Sequence, residues 1–467
     1  MKRNSQYLSR AIALAITSWC CASDFAMARS GNDGLTGINA AGVVSTFTAS
    51  GSIDTTNPFF QSLGTNGRAC GTCHGVKQAW TITPADLQLR FALSGGNDPV
   101  FRTNDGANSP LANVSSVDAR RHAYSMLLNK GVIRVGIGIP ATAEFTLTAV
   151  DDPYSFASAT ELSLFRRPLP STNLRFVTGV MWDGRETHAP FLPPMDAGAN
   201  MADLVASLKH QATDATLGHA QAATPPSDVQ VQRIVDFELG LTTAQSYDFN
   251  AGHLNDDDAI GGPRILAGLQ SYVGINDVLG ADPAGAAFNA SAITLFDAWK
   301  SPNDNGAGAG ARGAIARGEQ LFNTKPIAIT NVGGLNDALG MAVIAGTCTT
   351  CHDAPNVGNH SVALPINIGT ADATRRTPDM PLYTLRNNAT GAVVQTTDPG
   401  KAMVSGKWAD IGKFKGPVLR GLAARPPYFH NGMAASLGDV VDFYNTRFNV
   451  GFSSQEKRDL VAFLNAL

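Results

Sequence analysis

A mainly α-helical chain in two halves, with long loops and one small β-containing insertion, is the fold this sequence predicts. Three observations point to it. Apolar residues recur at helical spacing in both halves, the motif Cys-x-x-Cys-His occurs once in each half, and β-branched alternation is concentrated between about residues 132 and 150.

The motif also carries chemistry. In Cys-x-x-Cys-His two thiols are spaced to bond the vinyl groups of a haem while the adjoining imidazole meets the iron from one face. Cys70, Cys73 and His74, then Cys348, Cys351 and His352, therefore predict two covalently bound haem c groups with His74 and His352 as iron ligands. A zinc knuckle or a thiol redox pair also uses C-x-x-C. The histidine directly after both copies, behind an export signal, favours haem.

At 467 residues the chain has room for two or three domains, and a net charge of -3 excludes an electrostatic partnership with nucleic acid or an anionic membrane. Charged residues make up 16%, below the roughly 25% of an average globular chain, and there are 47 glycines. This is a loop-rich composition, and a haem supplies apolar surface that side chains would otherwise provide.

Taken in order, the chain opens with Met1-Lys2-Arg3, an apolar run from Ala11 to Ala22, and Ala26-Met27-Ala28, the three parts of a secretory signal cleaved after Ala28. The run is shorter than the roughly 20 residues of a membrane span, so an exported protein with no membrane span is expected. Cys20 and Cys21 leave with the signal, and the other four cysteines all belong to the haem motifs. Residues 31–67 read as a loose arm followed by one helical turn at Asn57–Leu63. Val132–Ile137 and Glu144–Val150 alternate like the two strands of an insertion. Residues 163–185 read as a loop and an apolar segment ending in a turn. Asn200 is placed to cap a helix whose inner face is Met201, Leu204, Val205, Leu208 and Gln211. In a second helix Val231, Ile234, Val235 and Leu241 share a face with Glu238, a carboxylate that burial would pair with an arginine. The Asp256-Asp257-Asp258 run reads as a solvated turn before a Gly- and Ala-rich connection. The second half begins with a helix near Ala311–Phe322 and ends with two more. Ser436 caps the first, which turns Leu437, Val440, Val441 and Tyr444 inward, and Leu460, Phe463, Leu464 and Leu467 line the last. A helix before the haem motif and one at the chain's end fit a cytochrome c-like domain.

The second axial position of each iron decides between electron transfer and an open face for peroxide or dioxygen. Seven histidines remain as candidates: His122, His188, His210, His219, His253, His360 and His430. Trp182-Asp183-Gly184-Arg185 lies between the two haem motifs. It is followed by Phe414-Lys415-Gly416-Pro417-Val418-Leu419-Arg420 and Pro427-Tyr428-Phe429-His430-Asn431-Gly432. Together these resemble the bacterial di-haem cytochrome c peroxidase and MauG superfamily, over about residues 57–75 and 162–467. The stretch from Val76 to about Thr160 is not accounted for.

The resemblance implies a peroxidatic N-terminal haem, a C-terminal haem that stores and relays electrons, and Trp182 between them, with Arg185 and His430 at cofactor-binding positions. Standard members have methionine fourteen residues after the histidine of P-Y-F-H-x-G. Tyr444 stands there, as in the MauG-like branch, and a phenolate ligand lowers the potential and favours high-valent iron. The histidine that caps the first haem of standard peroxidases has no counterpart between His122 and Trp182, which implies an open iron. Their distal glutamine and glutamate fall on Leu192 and Ala202 without a gap. With an insertion they fall on Gln211 and Gln221, and His219 beside the latter can move a proton between the peroxide oxygens. The family's inter-domain calcium position is Arg167 here, with carbonyls near Arg425 and Pro427, which counts against calcium.

The expectation is a periplasmic di-haem c-type peroxidase. Residues 29–260 form the peroxidatic domain with an insertion at about 76–160, residues 261–310 a linker, and residues 311–467 the electron-transfer haem domain. It would react with hydrogen peroxide at the first haem and share the oxidising equivalents through Trp182 with the second. The donor would be a small cytochrome, a cupredoxin or another protein. A non-enzymatic electron-transfer cytochrome and a dioxygenase resembling the rubber oxygenases, with the insertion as a substrate channel, are the alternatives.

Overall fold

The computed structural model describes residues 35–188, 197–300, 306 and 308–467. The expected signal, residues 1–28, and Leu192 lie outside the described residues, as do positions 301–305 and 307 of the expected linker.

In the second half, the helices Ala309–Thr324 and Ser454–Asn465 cross at close range, as the sequence predicts. Gly318 permits the approach, because a Cβ there would sit 2.0 Å from the Asp459 carbonyl oxygen. Ile315, Phe322, Leu460, Phe463 and Leu464 form one core at the crossing. The Phe322 ring lies 5.5 Å from that of Phe463 and 5.8 Å from that of His352, so this core backs directly onto a haem motif. Capping boxes at Ser436 with Asp439 and at Ser453 with Glu456 start the last two helices, satisfying amides that helix geometry leaves bare. The segment before the first helix of this half contributes Phe296 and Trp299 to the same core.

In the first half, Asn57 caps the single turn Pro58–Phe60, its Oδ1 accepting from the Phe59 amide at 3.0 Å. Helix Asp228–Leu239 packs on this turn through Val231 and Ile234, beside Trp80. Phe59 then stands 6.3 Å from the His74 ring.

The structure corrects four expectations. The arm before Asn57 is not loose: Leu35–Ile38 and Gly42–Phe47 are antiparallel strands, and the second also pairs with Thr242–Asp248. The insertion also carries helices that the expectation did not include, with Pro84–Ser94, Val117–Ala123 and Ser125–Lys130 closing over Leu87, Phe91, Phe101, Tyr124 and Leu127. Its two strands exist but do not pair with each other. Ile133–Ile137 pairs with Leu162–Arg166, and Phe145–Asp151 pairs with Leu382–Asn387 from far along the chain. Alternation fixes which face a strand buries but not its partner. Strands therefore belong to four small sheets spread over the molecule rather than to the insertion alone. Finally, Asn200 lies inside helix Ala197–Gly218, which starts a turn earlier than expected, and Met201 is exposed while Leu204 and Leu208 are buried.

Candidate functional site: two cavities with a common wall

Each Cys-x-x-Cys-His motif folds as a single tight turn. Cys70–Thr72 is held by the Thr72 side chain accepting from the Ala69 amide, and Cys348–Thr350 by Thr350 accepting from Thr347, both at 2.9 Å. The chain then curls back, with the amides of His74 and His352 donating to the carbonyls of Cys70 and Cys348. Each turn presents both cysteines and the histidine to its own cavity, and each cavity is about 1630 Å³ including its mouth.

The imidazoles are set up as metal ligands. His74 Nδ1 lies 3.0 Å from the Trp80 carbonyl oxygen and His352 Nδ1 2.6 Å from that of Gly358. Donation there fixes the tautomer and leaves Nε2 bare. Burial lowers both pKa values, that of His74 to about 4, which keeps the neutral ligand form. Burial also lifts Cys70, Cys348 and Cys351 to about 12, far from the activated thiolate of a redox pair. Among the described residues, neither cysteine pair joins a close group of three metal-ligating side chains, which argues against a zinc knuckle.

The residues fit two haem groups. Both cavities are lined mainly by apolar side chains. Each also holds an arginine with buried donors that lack a hydrogen bond among the described residues: Nη1 and Nη2 of Arg420 in the first, Nε of Arg425 in the second. Unpaired guanidinium donors in an apolar cavity match the carboxylates of haem propionates.

The two cavities share a wall of Arg167, Pro168, Leu169, Pro170, Trp182 and Lys415. Trp182 Nε1 donates to the Arg167 carbonyl at 2.8 Å, and the Trp182 carbonyl accepts from the Lys415 amide at 3.0 Å. Behind the wall, Asp183 is fully buried against Arg166, which also makes a two-pronged pair with Asp398 at 2.7 and 2.9 Å. Such a paired cluster holds the Trp182–Arg185 turn in one position, since breaking a buried pair strands a charge. Arg185 binds Asp183 at 3.2 Å and faces the first cavity. Burial lowers the Lys415 amine to about 8.

Every site residue expected from the sequence lines one of the cavities. Gln211 and His219 join Cys70, Cys73, His74 and Arg185 in the first. Tyr444 and His430 join Cys348, Cys351 and His352 in the second, and Trp182 lines both. Burial, followed by the nearby cysteines, raises the Tyr444 pKa. His430 stacks on Phe414 at 4.0 Å, its Nε2 lies 3.9 Å from Asp398 with no hydrogen bond among the described residues, and burial lowers its pKa to about 4.

Asp105 escapes sequence reasoning, and two further features complete the site. Asp105, inside the insertion, lines the first cavity and holds His219 Nδ1 at 2.5 Å while pairing with Arg68. Burial works against its charge, but His219 and Arg68 hold its pKa below the ordinary carboxylate range. Glu238 has no arginine partner among the described residues, contrary to expectation. It faces the first cavity, Oε2 is unbonded, and burial raises its pKa to about 7 against a hydrogen bond with Ser171. Space for a cofactor, invisible in a helical stripe, is where that carboxyl points. Third, the Arg167 guanidinium donates to the carbonyls of Ile82 at 2.8 Å, Arg425 and Lys130 at 3.2 Å, and Gly131 at 3.3 Å.

No family model matches the chain. It is 36% identical over 136 residues to the cytochrome-c peroxidase IdrP2 of Denitromonas iodatirespirans, covering 26% of this chain and 36% of that protein. With the cytochrome-c peroxidase IdrP1 of Pseudomonas sp. (strain SCT) it shares 32% over 155 residues, 27% of this chain and 38% of the other. With the cytochrome c551 peroxidase of Nitrosomonas europaea it shares 31% over 121 residues, 26% and 30%. A crystal structure of a MauG-like protein associated with microbial copper homeostasis aligns over 89% of this chain and 91% of its own, at a TM-score of 0.33 and 14% identity. The chain thus spans under two-fifths of the length of these curated relatives, and over about a quarter of its own length it is similar to cytochrome-c peroxidases.

Proposed function

We propose that this chain is a periplasmic di-haem c-type peroxidase of the MauG-like kind, which reduces hydrogen peroxide in the His74 cavity with electrons passed along Trp182 from the His352 cavity. The observation that carries the proposal is the common wall: one tryptophan borders both cavities, each built on a Cys-x-x-Cys-His turn. The peroxidase names of the sequence relatives support the same reading. Haem, when bound, supplies the redox chemistry. Cys70, Cys73 and His74 hold one group and Cys348, Cys351 and His352 the other, with Arg420 and Arg425 facing the propionates. Residues 29–260 and 311–467 form the two haem domains, joined through 261–310.

The protein's own groups handle the protons. Asp105 orients His219 through Nδ1, so Nε2 is free to take a proton from peroxide and return it to the departing oxygen. Gln211 lines the same cavity, and Glu238 is a second acid able to exchange a proton near neutral pH. Tyr444 lines the second cavity and would supply the second ligand to a haem iron held there, whereas the first cavity would leave the face of its haem opposite His74 open to peroxide. A small cytochrome, a cupredoxin or another protein supplies electrons. Arg167 occupies the carbonyl cluster with its own charge, and no calcium is required there.

Stopped-flow spectra after peroxide addition test this reading. In the wild type both haems change, whereas in Trp182→Phe the first haem still reacts and steady-state turnover with a reduced donor falls roughly tenfold or more. An unreactive wild type that consumes oxygen without added peroxide points instead to a dioxygenase.

A further inference from the structure

Outside both cavities, Asp277, Asp353 and His360 meet in the interior. Their relative exposures are 0%, 1% and 2%, and one ligating atom from each lies within 4.8 Å of the others. Two loops are laced together to bring this about. The Asn276 side-chain amide donates to the Asp353 carbonyl at 3.0 Å, and the Gly274 amide to the Ser361 carbonyl at 2.7 Å. Asp353 directly follows His352, so the cluster sits at the root of the second haem motif.

The bonding inside the cluster is incomplete. Asp353 accepts from the Ser361 amide at 2.6 Å and faces His360 Nδ1 at 2.9 Å, and Asp277 Oδ2 accepts from the Ala281 amide at 3.0 Å. Asp277 Oδ1, His360 Nε2 and the neighbouring Ser361 hydroxyl have no hydrogen-bond partner among the described residues. Among the described residues no lysine or arginine pairs with either carboxylate. Buried charge without a counter-charge is costly, and buried polar atoms are ordinarily bonded.

We propose that Asp277, Asp353 and His360 bind a divalent transition-metal ion of the zinc or manganese class. Two carboxylate oxygens and an imidazole nitrogen suit such an ion, whereas calcium and magnesium prefer oxygen alone and copper(I) prefers sulfur. A 2+ ion cancels both carboxylates with His360 neutral and gives the orphaned atoms a partner. It also clamps loop 274–282 to segment 353–361, which fixes the segment that carries His352. The site is independent of the peroxidase reading.

The test uses the full haem-loaded protein, expressed with added Zn2+, dialysed, and analysed for zinc and manganese by elemental mass spectrometry, with haem iron as the internal chain count. One equivalent of non-iron metal per chain is expected in the wild type, with at least tenfold less in Asp277→Asn and His360→Gln at unchanged iron. A wild type without zinc or manganese overturns the proposal, as do variants that keep the metal. Should the variants not fold, the wild type alone decides: its Tm rises with Zn2+ over chelator if the site binds metal, and an unchanged Tm overturns the assignment.

Discussion

Glu238 gives the first cavity a distinct pH response. Burial raises its pKa from 4.5 to about 7, so between those values the folded chain holds a proton that the unfolded chain has released. Its contribution to stability is full below about pH 4.5, declines as pH rises towards about 7, and is lost above. The shift corresponds to about 3 kcal/mol. Denaturation midpoints at pH 5 and pH 8 should therefore differ more in the wild type than in Glu238→Gln, and identical differences would remove Glu238 as the cause. The sequence exposes this residue as a carboxylate out of place in an apolar stripe, yet supplies the wrong remedy, because a cavity has no signature in helical spacing. Asp105 leaves no trace at all, since it lies 114 positions from the histidine it orients.

At the scale of elements, the crossing of Ala309–Thr324 with Ser454–Asn465 depends on one missing side chain. Gly318→Ala puts a Cβ 2.0 Å from the Asp459 carbonyl oxygen and 2.6 Å from Phe463 Cβ, and backbone must move. The substitution should cost about 2 kcal/mol or more in unfolding free energy, read from denaturant midpoints, whereas Gly310→Ala on the same helix meets nothing and should cost little. Elements set by local chemistry are legible in the sequence: the cap at Ser436, the turn that begins at Asn57, and the buried faces at Leu460 and Val231. Strand partners are not, because Phe145–Asp151 finds Leu382–Asn387 only once the whole chain has come together. The insertion reads as β from Val132 and Phe145, while its helical core of Phe91, Phe101 and Tyr124 comes from stretches of mixed pattern.

For the whole molecule, the proposed arrangement, an open first iron and a second iron held between His352 and Tyr444, predicts a resting ferric protein with one high-spin and one low-spin haem, measurable by electron paramagnetic resonance. Two low-spin signals would mean that a cavity side chain such as Met181 or His219 closes the first iron. Tyr444→Met should raise the potential of the second haem alone, and an unchanged potential would exclude Tyr444 as a ligand. Much of this architecture is legible from the two haem motifs and Trp182, since covalent attachment and a bridging aromatic announce themselves in a few residues. The rest depends on tertiary placement, as with Lys415, which reaches both cavities although its motif says nothing of either.

The Arg167 guanidinium reaches backbone oxygens of Ile82, Lys130, Gly131 and Arg425, drawn from three separate stretches of the chain. A positive charge tethered by peptide bonds to its own binding site has a local concentration set by the chain itself, and it cannot be diluted, exchanged or scavenged. This junction is complete on folding, so its order should be indifferent to the calcium supply of the protein's surroundings.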